Sequence, residues 1–281
     1  MRTETRRPGL ETPSQEAGSL LRLAKGVELW VHDSGVGKPA LLLHGVGCCA
    51  DDWVGPAGYF RDRFRVIRPD ARGHGRSSAP PGEWRLADFI GDLVGILDRL
   101  HIEKAHIAGF SMGGLQAQGL AIAHPDRVGK LAIIAATTGR SGAEQAQVEE
   151  RLAYIRSNSP GSYFETHAAK RWFTQEFVRT RSDVIDYARR VVSANRHESY
   201  VKAYEVLVQS DLGPDLCRIR HETLVLTGER DIGAGPKVAR FIAGQIEGSH
   251  LIVLPRLRHH ILLEAPELVG GIVREFFSDA D

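Results

Sequence analysis

The chain has 281 residues, a formal net charge of +1, 42% hydrophobic and 25% charged residues. That length suits one large α/β domain carrying an insertion, or two small domains, and the composition is that of an ordinary globular protein. Near-neutral charge lacks the basic footprint that nucleic acid or an anionic membrane requires, so neither is expected as a partner.

Residues 1–18 are polar, rich in Pro, Thr and Glu, and without the apolar run of a secretory signal. They read as a loose tail. No stretch approaches the ~20 apolar residues of a membrane span. Cys48, Cys49 and Cys217 make no disulfide framework and have no metal-ligand spacing, which fits small buried thiols and a cytoplasmic protein.

Leu20 to Ala24 and Val27 to His32 alternate around Lys25-Gly26, predicting a hairpin. Ala40 to Leu43 is a continuous apolar run, the pattern of a strand buried on both faces. It ends in His44-Gly45-Val46-Gly47, whose glycines allow backbone to approach a substrate. The Val46 amide is the candidate there to meet a developing negative charge, and His44 is read as fixing the loop rather than as a base. Trp53 is read as core. Phe64 to Arg68 is another strand, followed by Asp70-Ala-Arg72-Gly73-His74-Gly75-Arg76-Ser77. Charge and glycine there suit a tied-down turn, with His74 a weak alternative base. Leu86, Phe89, Ile90, Leu93, Ile96, Leu97 and Leu100 recur at helical spacing.

Ala105 to Ala108 then leads into Gly109-Phe-Ser111-Met-Gly113-Gly114, and a helical run to His124 leads out. A serine between glycines at a strand-to-helix turn is the nucleophile elbow. Crowding at the turn requires Gly109 and Gly113, and the helix N-terminus offers free N–H groups, that of Met112 first, to an oxyanion. Val128 to Ala135 is a further strand, so the order is that of a doubly wound, mostly parallel sheet.

The rhythm breaks over 138–212, which carries helical patterns, mixed charge and exposed-looking aromatics (among them Tyr163, Phe164, Trp172, Phe173, Tyr200 and Tyr204). It is read as a helical cap over the strand C-terminal ends, dividing a core of 19–137 and 213–281. Thr223 to Leu226 resumes the sheet and is followed by Gly228-Glu229-Arg230-Asp231; Pro236 opens a helix, Leu251 to Leu254 is the last strand, and Arg258-His259-His260 precedes a final helix from Pro266.

Ser111, Asp231 and His259 thus lie at strand ends in the chain order of a Ser-Asp-His triad. Glu229 competes with Asp231, and His260 with His259; His259 stands five residues before Glu264, and it is preferred because this resembles the spacing at which hydrolases with such a triad carry their histidine.

These runs, L-L-L-H-G-V-G, R-P-D-A-R-G-H-G-R-S, G-F-S-M-G-G, L-T-G-E-R-D and H-H-I-L-L-E-A-P-E, together resemble the α/β-hydrolase superfamily over nearly everything after residue 20. Lys170-Arg171-Trp172-Phe173-Thr174 with Phe177, and S-D-L-G-P-D-L, resemble the 3-oxoadipate enol-lactonase group. The sequence departs from the family at D-I-G-A-G-P and at R-H-H. The resemblance implies a serine hydrolase of a small ester or lactone that forms an acyl-enzyme without metal or organic cofactor. Ser111 would be the nucleophile, His259 the base, Asp231 its orienting acid, and the Val46 and Met112 amides the oxyanion hole. Trp172 is a candidate substrate contact, and Arg171 a candidate anchor for a substrate carboxylate. C–C bond hydrolysis of vinylogous diketones, cofactor-free perhydrolysis and a non-catalytic small-molecule receptor stay open, as does homo-oligomerisation.

Overall fold

Continuous apolar strands need cover on both faces, and that requirement organises the molecule. The structure is a computed structural model describing residues 18–278; the tail expected over 1–18 lies outside the described residues except for Gly18. Eight strands form one sheet: β1 Gly18–Arg22, β2 Glu28–Ser34, β3 Lys38–Leu43, β4 Phe64–Pro69, β5 Ala105–Phe110, β6 Val128–Ile134, β7 Thr223–Gly228 and β8 His250–Leu254. Their order is β1-β2-β4-β3-β5-β6-β7-β8. The β1–β2 and β2–β4 pairs are antiparallel and the others parallel.

Side chains alternate between the faces. Ala40, Leu42, Ala108, Ala132 and Leu224 enter one core, whereas Leu41, Leu43, Ile107, Leu131 and Val225 enter the other. Four helices pack with the sheet: α1 Leu86–Arg99, α2 Met112–Ala123, and, beyond the insertion, Pro236–Gln245 and Pro266–Ser278. The helix α2 is buried almost throughout because β5, β6 and α1 close around it.

Between β6 and β7 lie the helices α3 Gly142–Ser157, α4 Ser182–Ser193 and α5 His197–Gln209, with shorter helical turns among them, so that Pro236–Gln245 is α6 and Pro266–Ser278 is α7. Among the described residues this stretch contains no strand. Its aromatics are not exposed as their sequence context implied: Tyr163, Phe164, Trp172, Phe173, Tyr200 and Tyr204 are all at most 7% exposed. They face inward because the helices supply one another's cover, Tyr163 packing against both Tyr200 and Tyr204. Each such ring withdraws on the order of 150–250 Å² from water.

The stretch leaves and rejoins the sheet at one clasp. The Asp211 carboxylate accepts from Thr138 Oγ1 at 3.0 Å, Gly139 N at 2.7 Å and Gly213 N at 3.0 Å, and Thr138 Oγ1 accepts from Leu212 N. Arg140 adds donations to the carbonyls of Leu207, Val208 and Ser210.

Candidate active site

At the end of β5 the chain must turn straight into α2, and only a strained residue fits the turn. Ser111 has φ 55° and ψ −115°, a left-handed conformation that is rare for a residue with a side chain. It is held there by its amide, which donates to Ile134 O at 2.8 Å, and by its carbonyl, which accepts from Gly114 N at 2.9 Å. A Cβ on Gly109 would strike the Gly113 carbonyl, and one on Gly113 would strike the carbonyls of Leu43 and His44. The sharp turn therefore needs both glycines, and it projects the Ser111 hydroxyl clear of the strand.

Three strand ends supply a connected chain of hydrogen bonds. His259 Nδ1 lies 2.7 Å from Asp231 Oδ2 and His259 Nε2 lies 3.1 Å from Ser111 Oγ. A carboxylate only accepts, so Nδ1 carries a proton, and in the neutral form of the ring Nε2 is the nitrogen left to accept from the serine hydroxyl. The other Asp231 oxygen accepts from Gly233 N at 2.9 Å and Ala234 N at 3.0 Å, in the turn after β7. Burial alone would raise the Asp231 carboxyl, but the facing imidazole and these amides hold it below its usual value. Glu229 turns away: it is exposed and accepts from Arg256 N at 2.8 Å.

The loop after β3 lies over this serine, close enough that a Cβ on Gly45 would come within 3.1 Å of Ser111 Cβ. Val46 sits in that loop. Met112 is the first residue of α2, where no intrahelical acceptor precedes the amide.

Comparison with known proteins now bears on this arrangement. The family model described as the alpha/beta hydrolase fold matches residues 38–266. The chain belongs to the α/β-hydrolase family. It is similar to 3-oxoadipate enol-lactonase 2 of Acinetobacter baylyi, at 34% identity over 84% of this chain and 87% of that protein. It is also similar to 2-hydroxymuconate semialdehyde hydrolase of Pseudomonas putida, at 31% identity over 92% of this chain and 94% of that one. Among solved structures, the enol-lactonase from Burkholderia xenovorans LB400 superposes with a TM-score of 0.87 at 27% identity, covering 93% of this chain and all of the other.

Within this α/β-hydrolase the other histidines near the serine bond elsewhere. His44 Nδ1 donates to Gly45 O at 2.7 Å and its Nε2 accepts from Ala71 N at 2.9 Å, so both nitrogens are spent tying the β3 loop to the β4 loop. His74 is buried and bonds Arg72 O through Nδ1; burial first, then neighbouring His44, push its pKa down to about 3. Asp70 and Arg72 build the turn: Asp70 accepts from Ala50 N and Arg76 N, and Arg72 forks on to Asp92 at 2.7 Å.

His260 points away from the serine, into a buried group with Asp52, Cys48 and Tyr187. Burial and nearby Asp52 push the Cys48 thiol well above its usual pKa. For Asp52 itself burial acts upwards, but hydrogen bonding to His260, Tyr187 and Cys48 brings the carboxyl below its usual value.

Trp172 packs its ring against His260 and Phe164, and its carbonyl accepts from His260 N at 2.9 Å. Arg171 follows a π-helical turn, Phe164–Ala168, and donates to Tyr163 OH at 3.3 Å. A Cβ on Gly233 would lie 2.7 Å from its Nη2, which places the guanidinium over the turn that holds Asp231.

Two contacts had no signal in the sequence. Asn195 Nδ2, between α4 and α5, donates to Gly47 O at 3.0 Å and so fastens the helical insertion to the β3 loop. Glu264 accepts from Thr174 through both its amide and its hydroxyl, which fastens the same insertion to the turn after His259.

Proposed function

We propose that the protein is a serine hydrolase that opens an ester or lactone bond in a small carboxylate-bearing substrate. The observation that carries this reading is the continuous path Ser111 Oγ to His259 Nε2 and His259 Nδ1 to Asp231. A serine hydroxyl is a feeble nucleophile at neutral pH and needs this arrangement to lose its proton as it attacks. His259 takes that proton while Asp231 holds the ring and stabilises its charged form. The tetrahedral oxyanion falls to the amides of Met112 and Val46, one such donor being worth about 3–4 kcal/mol in the transition state. His259 then protonates the leaving oxygen, and water activated by the same ring releases the acid from Ser111.

Residues 138–212 act as the cap in this reading. Asn195 and Glu264 hold the segment down on the two loops that carry the chemistry, which suits exclusion of bulk water. Arg171 anchors the substrate carboxylate. It has no carboxylate within salt-bridge distance among the described residues, and its bonded partner is a neutral tyrosine. Likeness to the two enol-lactonases supports a lactone as the bond cleaved.

The likeness to 2-hydroxymuconate semialdehyde hydrolase supports a second reading, cleavage of a C–C bond beside a ketone by the same residues. Following the ultraviolet absorbance of an enol-lactone and of a coloured dienoate separates the two. We expect rapid loss of the lactone, reduced by at least roughly 10⁴-fold in Ser111→Ala. Loss of the dienoate alone selects the second reading. If neither substrate is consumed and an organophosphate leaves Ser111 unlabelled, the hydrolase reading fails.

A further inference from the structure

Two features far apart in the sequence, the adjacent cysteines after β3 and the second histidine beside His259, meet in space. Cys48 and His260 are 212 positions apart, yet Cys48 Sγ lies 3.6 Å from His260 Nε2. The same Nε2 lies 3.4 Å from Asp52 Oδ2. These three ligand atoms all lie within 4.8 Å of one another, and the residues are 2% exposed or less.

We propose that Cys48, Asp52 and His260 form a buried binding site for a divalent cation of the zinc class. Bonds of about 2.3 Å to sulfur and 2.0–2.1 Å to nitrogen and oxygen, spread tetrahedrally, put S···N near 3.6 Å and N···O near 3.3 Å. The two edges in the structure, 3.6 and 3.4 Å, match both. Thiolate, imidazole and carboxylate suit zinc or cobalt and disfavour calcium and magnesium, which take oxygen ligands. A divalent cation with one thiolate, one carboxylate and one neutral imidazole carries no net charge, which suits an interior. On binding, the Cys48 thiol passes its proton to solvent and its sulfur pair to the metal.

The surroundings fit a ligand set held in advance. The Tyr187 hydroxyl donates to Asp52 Oδ1 at 2.8 Å, which leaves Oδ2 turned to the site. Phe173 stacks on the His260 ring at 5.5 Å and 9°, with Phe110 and Trp172 on other sides. His260 Nδ1 has no hydrogen-bond partner among the described residues, so the outer hydrogen bond that commonly orients a ligating imidazole is replaced here by the packed aromatic rings. Cys48 N also donates to Gly45 O at 3.2 Å, so a cation here ties the β3 loop to the turn that carries His259. The site stands whether or not the hydrolase reading holds.

The test loads the purified full-length protein with Zn²⁺ or Co²⁺, removes free metal by gel filtration, and measures metal content and the cobalt spectrum. The expected result is one metal per chain, with a thiolate-to-cobalt charge-transfer band and intense four-coordinate d–d bands. Cys48→Ser abolishes that band and retains metal at least roughly tenfold more weakly, whereas exposed Cys217→Ser changes neither. Near-ultraviolet circular dichroism checks that Cys48→Ser is folded; if it is not, Asp52→Asn, which keeps the side-chain volume, takes its place. Absence of retained metal in the wild type, equal retention by the folded variant, or loss in Cys217→Ser instead overturns the proposal.

Discussion

Arg171 holds a positive charge over the Asp231 turn, and its raised pKa follows from opposing causes. Burial disfavours the cation, but Tyr163, Tyr204 and Asp231 outweigh that cost. Under the proposed function that charge is the anchor for the substrate carboxylate. Arg171→Met is expected to raise KM for a carboxylate-bearing lactone by about 10–100-fold, the loss of one charged hydrogen-bonded pair, with kcat within a few-fold. Arg171→Lys recovers part of the loss because it keeps the charge and forfeits the fork. Steady-state kinetics on the acid and its methyl ester give the comparison; equal losses on both would show that Arg171 does not read the carboxylate. Among single residues, Ser111 was legible because glycine spacing and a strand-to-helix context occur together. His259 and His260 differ in sequence by their distance to Glu264, and the structure turns His259 to Ser111 and Asp231 and His260 to Asp52 and Cys48. The partners of His260 were not legible, since nothing near it in the chain announces Cys48 or Asp52.

The start of α3 shows how an element is secured to its neighbour. Ser141 and Glu144 form a capping box, and Glu144 Oε1 also meets Lys237 Nζ of α6 at 2.7 Å. Lys237 first, then the Ser141 amide and hydroxyl, lower the Glu144 pKa from 4.5 to about 2. A carboxyl depressed by folding stabilises the native state fully above its unfolded value, and that stability is lost as pH falls through the folded one. Glu144→Gln is therefore expected to melt about 1–3 °C below wild type at neutral pH, the gap closing between pH 4.5 and about 2. Scanning calorimetry across that range tests it, and a gap independent of pH would refute the assignment. Since the pair is partly exposed, added salt narrows the gap at neutral pH. Elements were legible to different degrees. The parallel strands β3 to β7 read largely as apolar runs, because burial on both faces leaves few polar positions, buried Arg68, His106 and Lys130 among them. Helices of the insertion showed their period but not their cover, so Tyr163, Tyr200 and Tyr204 looked exposed until each was seen packed on the others.

At the scale of the molecule, the sheet is complete without the insertion. The strands β6 and β7 pair directly, from Leu131 with Thr223 to Ile134 with Leu226, although some 90 residues separate them in the chain (about 3.3 Å each if extended). Asp211 closes that excursion with three accepted hydrogen bonds, so Asp211→Ala is expected to loosen 138–212 as a unit. Limited proteolysis read by mass spectrometry should then show cuts inside that segment at least several-fold faster, with the strands still protected. An unchanged digestion pattern would mean that Arg140 and the aromatic interior suffice. The point where the sheet pattern stops was legible at Thr138; how the segment returns was not, because Asn195 to Gly47 and Trp172 to His260 join residues far apart in sequence.

The neighbouring exits of β6 and β7 also bear on how such proteins diverge. With both ends of the excursion meeting at Asp211, a relative's stretch of different length can be spliced between them without rethreading any strand. Under the proposed function, selectivity and bond-breaking would then be separately heritable: the first would travel with one contiguous cassette, while the second would stay behind in the scaffold.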